Sequence, residues 1–407
     1  MDSEENGKTE EINSNNNSET DGKIKELKNT ITNFLSGHTV YEAIPENMKI
    51  LVFNEDLLIK DSIKAMVKED IYCGLLWSTS KNTFIGIFTI RDILGLLVTT
   101  YKQLVKYLND HEEIDSISKL KEKMDDFFET FETKEGEKDE SKMEKMEIEG
   151  EKGDENGASL EEEESNFNKI VHNFEEFYSL FSDISLLNYK IKFKPFNENL
   201  LTISLDDSLK MSIEQIRNNR IHRLIVMDKN SNSVSGFITY ETIFEYFIKN
   251  YFGTMNEFDF PLKCLDITTK NILFLNKTDS LLKCMELFYE KKISMVPVKD
   301  NNNNDLYGYI YLKDIIYCFS GGLPFNFNNT IEEFLSDLYA GIDMSVPLGE
   351  KRITDVYLNT KIKEIFELMS VCPERKLIVR DIKNNEDDGI SDIGIITLYD
   401  IFKLLVS

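Results

Sequence analysis

Four segments of the chain alternate apolar and polar positions in one shared cadence. They are Phe84–Leu94 (FIGIFTIRDIL), Val234–Phe244 (VSGFITYETIF), Leu306–Ile316 (LYGYIYLKDII) and Asp392–Phe402 (DIGIITLYDIF). Each sets a glycine (Gly86, Gly236, Gly308, Gly394) three residues before Thr89, Thr239, Tyr311 or Thr397, and six before Asp92, Thr242, Asp314 or Asp400. Upstream of each lies a β-rich run: IYCGLLW from Ile71, IHRLIV from Ile221, ISMVPV from Ile293 and ERKLIV from Glu374. The first three runs begin 15 residues before their glycine, and the fourth is stretched by the polar insert Asn385–Gly389. A period held at so many positions marks an internal repeat. Two apolar runs joined by a polar turn predict a β-hairpin. The second run then enters a stretch of helical periodicity, with Ile93 and Leu96, Ile243 and Phe247, Ile315, and Ile401 on the apolar side. Another amphipathic helix precedes each hairpin, as at Ser208–Asn219 with Met211, Ile213 and Ile216. The unit is therefore β-α-β-β-α. A three-stranded sheet with two helices leaves a face uncovered, so such units are expected to pack in pairs.

Two stretches lie outside the repeats. Residues 1–23 are rich in Asn and Glu and are expected to be disordered. Ile24, Leu27, Ile31 and Phe34 then stand at helical spacing and begin the fold. Residues 112–166 separate the first repeat from the second. Their run Lys134–Glu164 is crowded with Glu, Asp and Lys. So little apolar surface does not offset chain entropy, and an acidic flexible insertion is expected. An acidic docking segment for a basic partner, or phosphorylation at Ser141, Ser159 or Ser165, is the functional alternative.

Charge narrows the function classes. There are 73 acidic against 47 basic residues, a formal net charge of −26. A protein that reads a nucleic-acid backbone needs a basic stripe, so no nucleic-acid partner is expected. No apolar run reaches membrane-spanning length, and the N-terminus lacks an apolar signal core, which leads to a cytoplasmic expectation that extends to the nucleus. The five cysteines Cys73, Cys264, Cys284, Cys318 and Cys372 are odd in number and lie in apolar runs, as reduced, buried thiols would. The four histidines show no metal spacing. No nucleophile–base pair or Gly-rich phosphate loop appears, so the chain is not expected to be an enzyme.

The repeats resemble cystathionine-β-synthase (CBS) motifs. Four of them in one chain resemble the γ regulatory subunits of AMP-activated (sucrose-non-fermenting-related) protein kinases. Segments that carry the likeness are Ala43–Lys60 (AIPENMKILVFNEDLLIK), Leu75–Leu94 (LLWSTSKNTFIGIFTIRDIL) and Asn219–Asp228 (NRIHRLIVMD). The resemblance implies an α/β protein of four CBS motifs, over residues 34–106, 189–260, 261–322 and 331–407, in two tandem pairs packed as a disc. It also implies AMP, ADP and ATP as regulatory ligands, no cofactor, and a heterotrimer with a catalytic α subunit and a scaffolding β subunit.

Within that family the nucleotide meets the turn from strand to helix. Asp92, Asp314 and Asp400 are the expected acceptors for ribose hydroxyls, with Thr89, Thr239, Thr397, Thr268 and Ser294 beside them. Thr-x-x-Asp at a helix start is also what a plain N-cap looks like, and that reading stays open. The phosphates need cations. The position aligned with Arg223 is taken to hold Tyr72, Lys292 and Lys376, with His222 and Arg375 adjacent. Arg engages phosphate in a bidentate way, whereas Lys is a point charge. Departures accompany the likeness. Thr242 replaces the carboxylate in the second repeat, Tyr311 replaces a small hydroxyl residue, and Pro373 alters the fourth. No Arg-bearing segment is recognisable in Gly341–Lys351. The rival expectation is a scaffold that keeps the subunit's shape and has lost adenylate sensing.

Overall fold

Each repeat folds as a three-stranded sheet flanked by helices, in the order the apolar pattern predicts. The computed structural model describes residues 21–111, 113–124, 127–128, 167, 170–171, 174–180, 183–188, 200–228, 233–251, 258–265, 267–269, 272–301, 306–317, 327–339, 354–380 and 393–406. A helix α1 over 21–37 leads into the single turn α2 (Val40–Ala43). The first repeat comprises β1 (Leu51–Asn54), α3 (Ile59–Glu69), β2 (Cys73–Ser78), β3 (Thr83–Thr89) and the long α4 (Ile90–Asp110). After α5 (Ile117–Glu122) and α6 (Phe174–Ser179) comes the second: β4 (Thr202–Ser204), α7 (Leu209–Asn218), β5 (Arg223–Asp228), β6 (Ser233–Thr239) and α8 (Tyr240–Tyr251). The third has β7 (Leu275–Asn276), α9 (Leu281–Lys291), β8 (Met295–Lys299), β9 (Leu306–Tyr311) and α10 (Leu312–Tyr317). After α11 (Ile331–Tyr339), the fourth has β10 (Thr354–Tyr357), α12 (Ile362–Val371), β11 (Lys376–Arg380), β12 (Ile393–Thr397) and α13 (Leu398–Leu405).

In all four sheets the first strand runs parallel to the second and the second antiparallel to the third. The repeated glycine has a local cause. Gly86, Gly236 and Gly308 stand opposite Leu76, Val226 and Val298, and the register slips immediately after those residues. The extra residue of each bulge, Ile85, Ser235 or Tyr307, immediately precedes the glycine on its own strand, a place where glycine is common.

Backbone exchange shows which repeats pair. The segment ahead of the first repeat docks on the second: Val40 and Tyr41 amides donate to Asp207 and Leu205 carbonyls, both at 2.9 Å. The segment ahead of the second docks on the first, with Leu186 and Leu187 donating to Leu57 and Glu55 at 2.8 Å. Repeats three and four repeat the exchange: Ile331 donates to Asp279 and Leu262 to Thr360, each at 2.9 Å. The sheets of the first pair meet through Cys73, Leu75, Ile225 and Phe237, and those of the second through Met295, Tyr309, Tyr311 and Ile378. The two pairs are then joined by helices. One core unites repeats one and three, where α4 packs on α9 and α10; another unites two and four, where α8 packs on α12 and α13. The four units thus close a ring, one–two–four–three, in agreement with the expected pairing.

Several expectations are corrected. Residues 21–23 are already helical, and the remainder of the expected disordered N-terminus, 1–20, lies outside the described residues. The insertion is not solvated from residue 112 onward. Ile114, Leu120, Met124, Phe127 and Phe128 are buried against α4, together with Phe167, Ile170, Val171 and Phe177 after the acidic run. Each such aromatic ring contributes about 1.5–3 kcal/mol by leaving water, which outweighs the polar residues between them. The acidic run Lys134–Glu164 lies outside the described residues, as do Gly341–Lys351 and the insert Asn385–Gly389. On α7 the apolar face is Leu209, Ile213 and Ile216, while Met211 is exposed because Ser208, which accepts its amide, sets the helix start. Cys73, Cys284 and Cys372 are buried and in no disulfide among the described residues, Cys264 is partly exposed, and Cys318 lies outside the described residues. Among the described residues no helix is long and apolar enough to cross a membrane.

Candidate functional site

The helix starts realise the capping arrangement. Thr89 donates both its amide and its hydroxyl to Asp92 Oδ2, each at 2.7 Å. Thr397 does the same to Asp400 Oδ2 at 2.9 and 2.7 Å. The Tyr311 amide donates to Asp314 Oδ2 at 2.9 Å. In the second repeat two hydroxyls replace the carboxylate, Thr239 and Thr242 lying 3.1 Å apart. Asp92 and Asp314 are buried, and the amides of Thr89 and Tyr311 donate to their carboxyl groups. The cap therefore occupies one oxygen of each aspartate.

Strand register corrects the expected cation positions. The residues paired with the capping position are Cys73 with Thr89, Arg223 with Thr239, Met295 with Tyr311, and Lys376 with Thr397. Only Arg223 and Lys376 are cations at this place. Tyr72, His222 and Ser294 stand one residue earlier. The carbonyls of Tyr72 and Ser294 accept the amides of Ile90 and Leu312 at 3.2 and 3.1 Å, confirming their equivalence. Lys292 belongs to the end of α9. It adopts a left-handed conformation (φ 55°), as do Asp70, Arg220 and Arg375, and it is exposed. Arg375 closes the C-terminus of α12 through the carbonyls of Met369 and Ser370, and it pairs with Glu245 at 3.0 Å. Neither Lys292 nor Arg375 reaches the site. In the fourth repeat, where Pro373 stands in the turn, the left-handed residue immediately precedes the strand instead of standing three residues before its paired position.

What does converge is a cationic centre drawn from three repeats: Arg91 on α4, His222 and Arg223 entering β5, and Lys376 entering β11. The Arg91 and Arg223 guanidiniums are close enough that, after burial, each other's charge depresses Arg91's proton affinity. Arg223 lies 5.9 Å from the Phe237 ring centroid and reaches the buried Cys73 thiol, which burial pushes up and Arg223 partly restores. Burial lowers Lys376 too, against the pull of Glu374 and Glu241. His222 is pushed down to about 4, first by desolvation and then by Arg91, Arg223 and Lys376. Its ring still meets solvent, so this is the environment of a cleft: protein on most sides and water at the mouth. Arg375 and Arg380 form ion pairs, with Glu245 and Asp355, whereas Arg91 and Arg223 form none among the described residues. Asp92 acts on Arg91, and Glu374 and Glu241 act on Lys376, yet burial still depresses Arg91, His222 and Lys376, and such a place suits an anion.

The opposite side of the centre is acidic. Burial and a hydrogen bond with Asp70 raise the Tyr72 phenol, and the charges of Asp70, Asp314 and Glu374 add to this. Glu374 is ion-paired with Lys313.

A second constellation surrounds Asp400. Thr269 exchanges backbone bonds with Ile395 on β12, at 2.9 and 3.2 Å, and its hydroxyl donates to Asp400 Oδ1 at 3.3 Å. A side chain at Gly394 would run into Thr268, so Thr268 roofs the glycine that opens the hairpin. Over Gly236 the roof is Met48, whose sulfur accepts the Phe237 amide at 3.2 Å. Of the expected residues, Thr89, Asp92, His222, Arg223 and Lys376 come together, and so do Thr268, Thr397 and Asp400. Thr239 pairs with Arg223 in the ladder, and Asp314 faces Tyr72. Arg91, Thr269, Lys313 and Glu374 were not anticipated. Arg91 and Lys313 had a signal, since both stand immediately before the aspartate at one repeat position.

Comparison with known proteins bears on this geometry. Residues 195–249 and 264–321 match the CBS domain family, which covers the second and third repeats. The chain is 22% identical over 398 residues to the 5'-AMP-activated protein kinase subunit gamma of Dictyostelium discoideum, spanning 96% of this chain and 55% of that protein. It is 22% identical over 289 residues to subunit gamma-3 of Sus scrofa, spanning 70% of this chain and 42% of that one. It thus spans about half the length of these relatives. Among solved structures, a protein of Methanocaldococcus jannaschii described as a candidate archaeal homologue of γ-AMPK superposes with a TM-score of 0.53 at 14% identity. That match covers 90% of this chain and 99% of the archaeal one, and the likeness is one of fold.

Proposed function

From a chain that is γ-subunit-like and carries CBS domains, we propose a regulatory subunit that binds an adenine nucleotide at the centre of its four-repeat ring. The carrying observation is the cationic centre of Arg91, His222, Arg223 and Lys376, in which Arg91 and Arg223 form no ion pair among the described residues. Arg91 and Arg223 take the phosphate through charge-assisted hydrogen bonds, with Lys376 as a third charge. Asp92, on the helix that carries Arg91, is the carboxylate we place beside the ribose hydroxyls. The relatives' names extend the reading: AMP, ADP and ATP compete as regulatory ligands, and a kinase catalytic subunit and a scaffolding subunit are the partners. A nucleotide controls such an assembly only by binding its active form more tightly than its inactive one.

The second constellation favours a narrower version of the rival reading. Asp400 accepts from Thr397 and Thr269 on its two oxygens, and the Tyr311 ring fills the third repeat's turn. Those two repeats therefore take no ribose of their own, and the fourth serves the nucleotide of the first pair through Lys376. Calorimetric titration of the purified chain with AMP and with adenosine tests the proposal. Arg223→Ala weakens AMP by roughly 10- to 100-fold, the loss of one or two charged hydrogen bonds, and leaves adenosine nearly unchanged. Equal losses for both ligands would assign Arg223 to packing.

A further inference from the structure

The ion pair between Lys313, from the third repeat, and Glu374, from the fourth, stands beside the cationic centre. Lys313 Nζ is 5.9 Å from the Tyr311 ring centroid, and Lys376 Nζ is 5.6 Å from the same centroid. One buried ring therefore carries both ammonium groups, and the carboxylate bound to the first is next to the second. The Glu374 side chain is only 11% exposed. Two residues before their paired strand position, the first three repeats hold Ile71, Ile221 and Ile293, so the repeat itself does not call for a carboxylate there. On the same side the Tyr72 phenol feels both Asp314 and Glu374.

We propose that Glu374 determines which nucleotide the centre accepts: it keeps the far edge of the phosphate site negative, so that a ligand with one phosphate fits and a longer phosphate chain is opposed. The inference rests on the reading that Arg91, Arg223 and Lys376 take a phosphate. A monophosphate meets those three cations and ends there. The next phosphate of a di- or triphosphate runs past Lys376 towards Glu374. Two like charges a few ångströms apart, enclosed by protein, repel far more strongly than in water. Taking Lys313 away to serve that phosphate leaves Glu374 enclosed without its cation, which is no less costly. Both routes penalise the polyphosphate.

The test is competition against a fluorescent AMP analogue, with AMP and metal-free ATP as competitors, on the full chain and its Glu374→Gln and Glu374→Asp variants. The wild type prefers AMP. Glu374→Gln narrows the AMP-to-ATP affinity ratio by about tenfold, mainly through tighter ATP, and Glu374→Asp retains the wild-type ratio. Lys313→Gln, which keeps the carboxylate and removes its cation, widens the ratio, and it carries the test if Glu374→Gln does not fold. A ratio unchanged in Glu374→Gln, even with a lower melting temperature, overturns the proposal and leaves Glu374 as a tie between repeats. So does a wild type that prefers ATP. Absence of binding by either nucleotide to every form overturns the underlying site as well, and it differs plainly from an unchanged ratio.

Discussion

His222 reports the cost of the cationic centre at the level of one side chain. Its proton affinity is depressed by desolvation and by Arg91, Arg223 and Lys376, to about 4 from the usual 6.5. A folded-state value below the unfolded one means that the unfolded chain binds more protons between these limits. The stability held by neutral His222 is thus complete above about pH 6.5 and is lost as pH falls towards 4. In the ligand-free protein, replacing His222 with Asn should flatten the fall in melting temperature between pH 6.5 and 5. Identical pH slopes for both proteins would show that the ring is not enclosed among cations. Some of this was legible beforehand. Arg223 and the aspartates of the helix starts follow from the repeat, because capping and strand pairing are local. Lys292 was misplaced because basic character was matched instead of distance from the glycine. Counting on from Ile71, Ile221 and Ile293, which all stand 15 residues before their glycine, sets Cys73 and Met295 at the place of Arg223. Arg91 shows in the sequence only as the residue before a capping aspartate, and the pairing of the first two sheets is what brings it to Arg223.

At the scale of elements, the strands and helices of each repeat were readable because their periods are short. The exchange of leading segments was not. Nothing in the run around Leu186 says that it docks on the first repeat instead of continuing into the second, since that choice depends on which sheet offers unpaired backbone groups. The insertion was misread for a related reason. Composition averaged over residues 112–166 is acidic, and the average hides Ile114, Leu120, Phe127 and Phe128, spaced to cover α4. Two deletions separate these contributions. Removing 134–164, which the sequence reads as solvated, should leave the melting temperature nearly unchanged. Extending the deletion back to 113 removes buried aromatic rings, each comparable to a core Phe→Ala change of about 3–5 kcal/mol, and should prevent stable folding. Equal tolerance of both deletions in thermal denaturation would mean that the inserted layer contributes nothing.

For the whole molecule, the closed ring is what turns four weak local features into a site. Sheet faces join one to two and three to four, helices join one to three and two to four, and groups from the first, second and fourth repeats therefore meet at a common centre. An anion held there touches three repeats at once, so its binding strengthens the junction between the two pairs, and any partner that senses that junction senses the ligand. The most direct measurement is an NMR titration of the His222 ring, with His222→Asn providing the assignment, in the free protein, with saturating AMP and with adenosine. A phosphate among Arg91, Arg223 and Lys376 neutralises the charges that depress His222 and itself favours the imidazolium. The ring should then titrate near 4 in the free protein and with adenosine, and should move up towards 6.5 or beyond with AMP. A ring that still titrates near 4 with AMP bound would place the phosphate elsewhere and contradict the account.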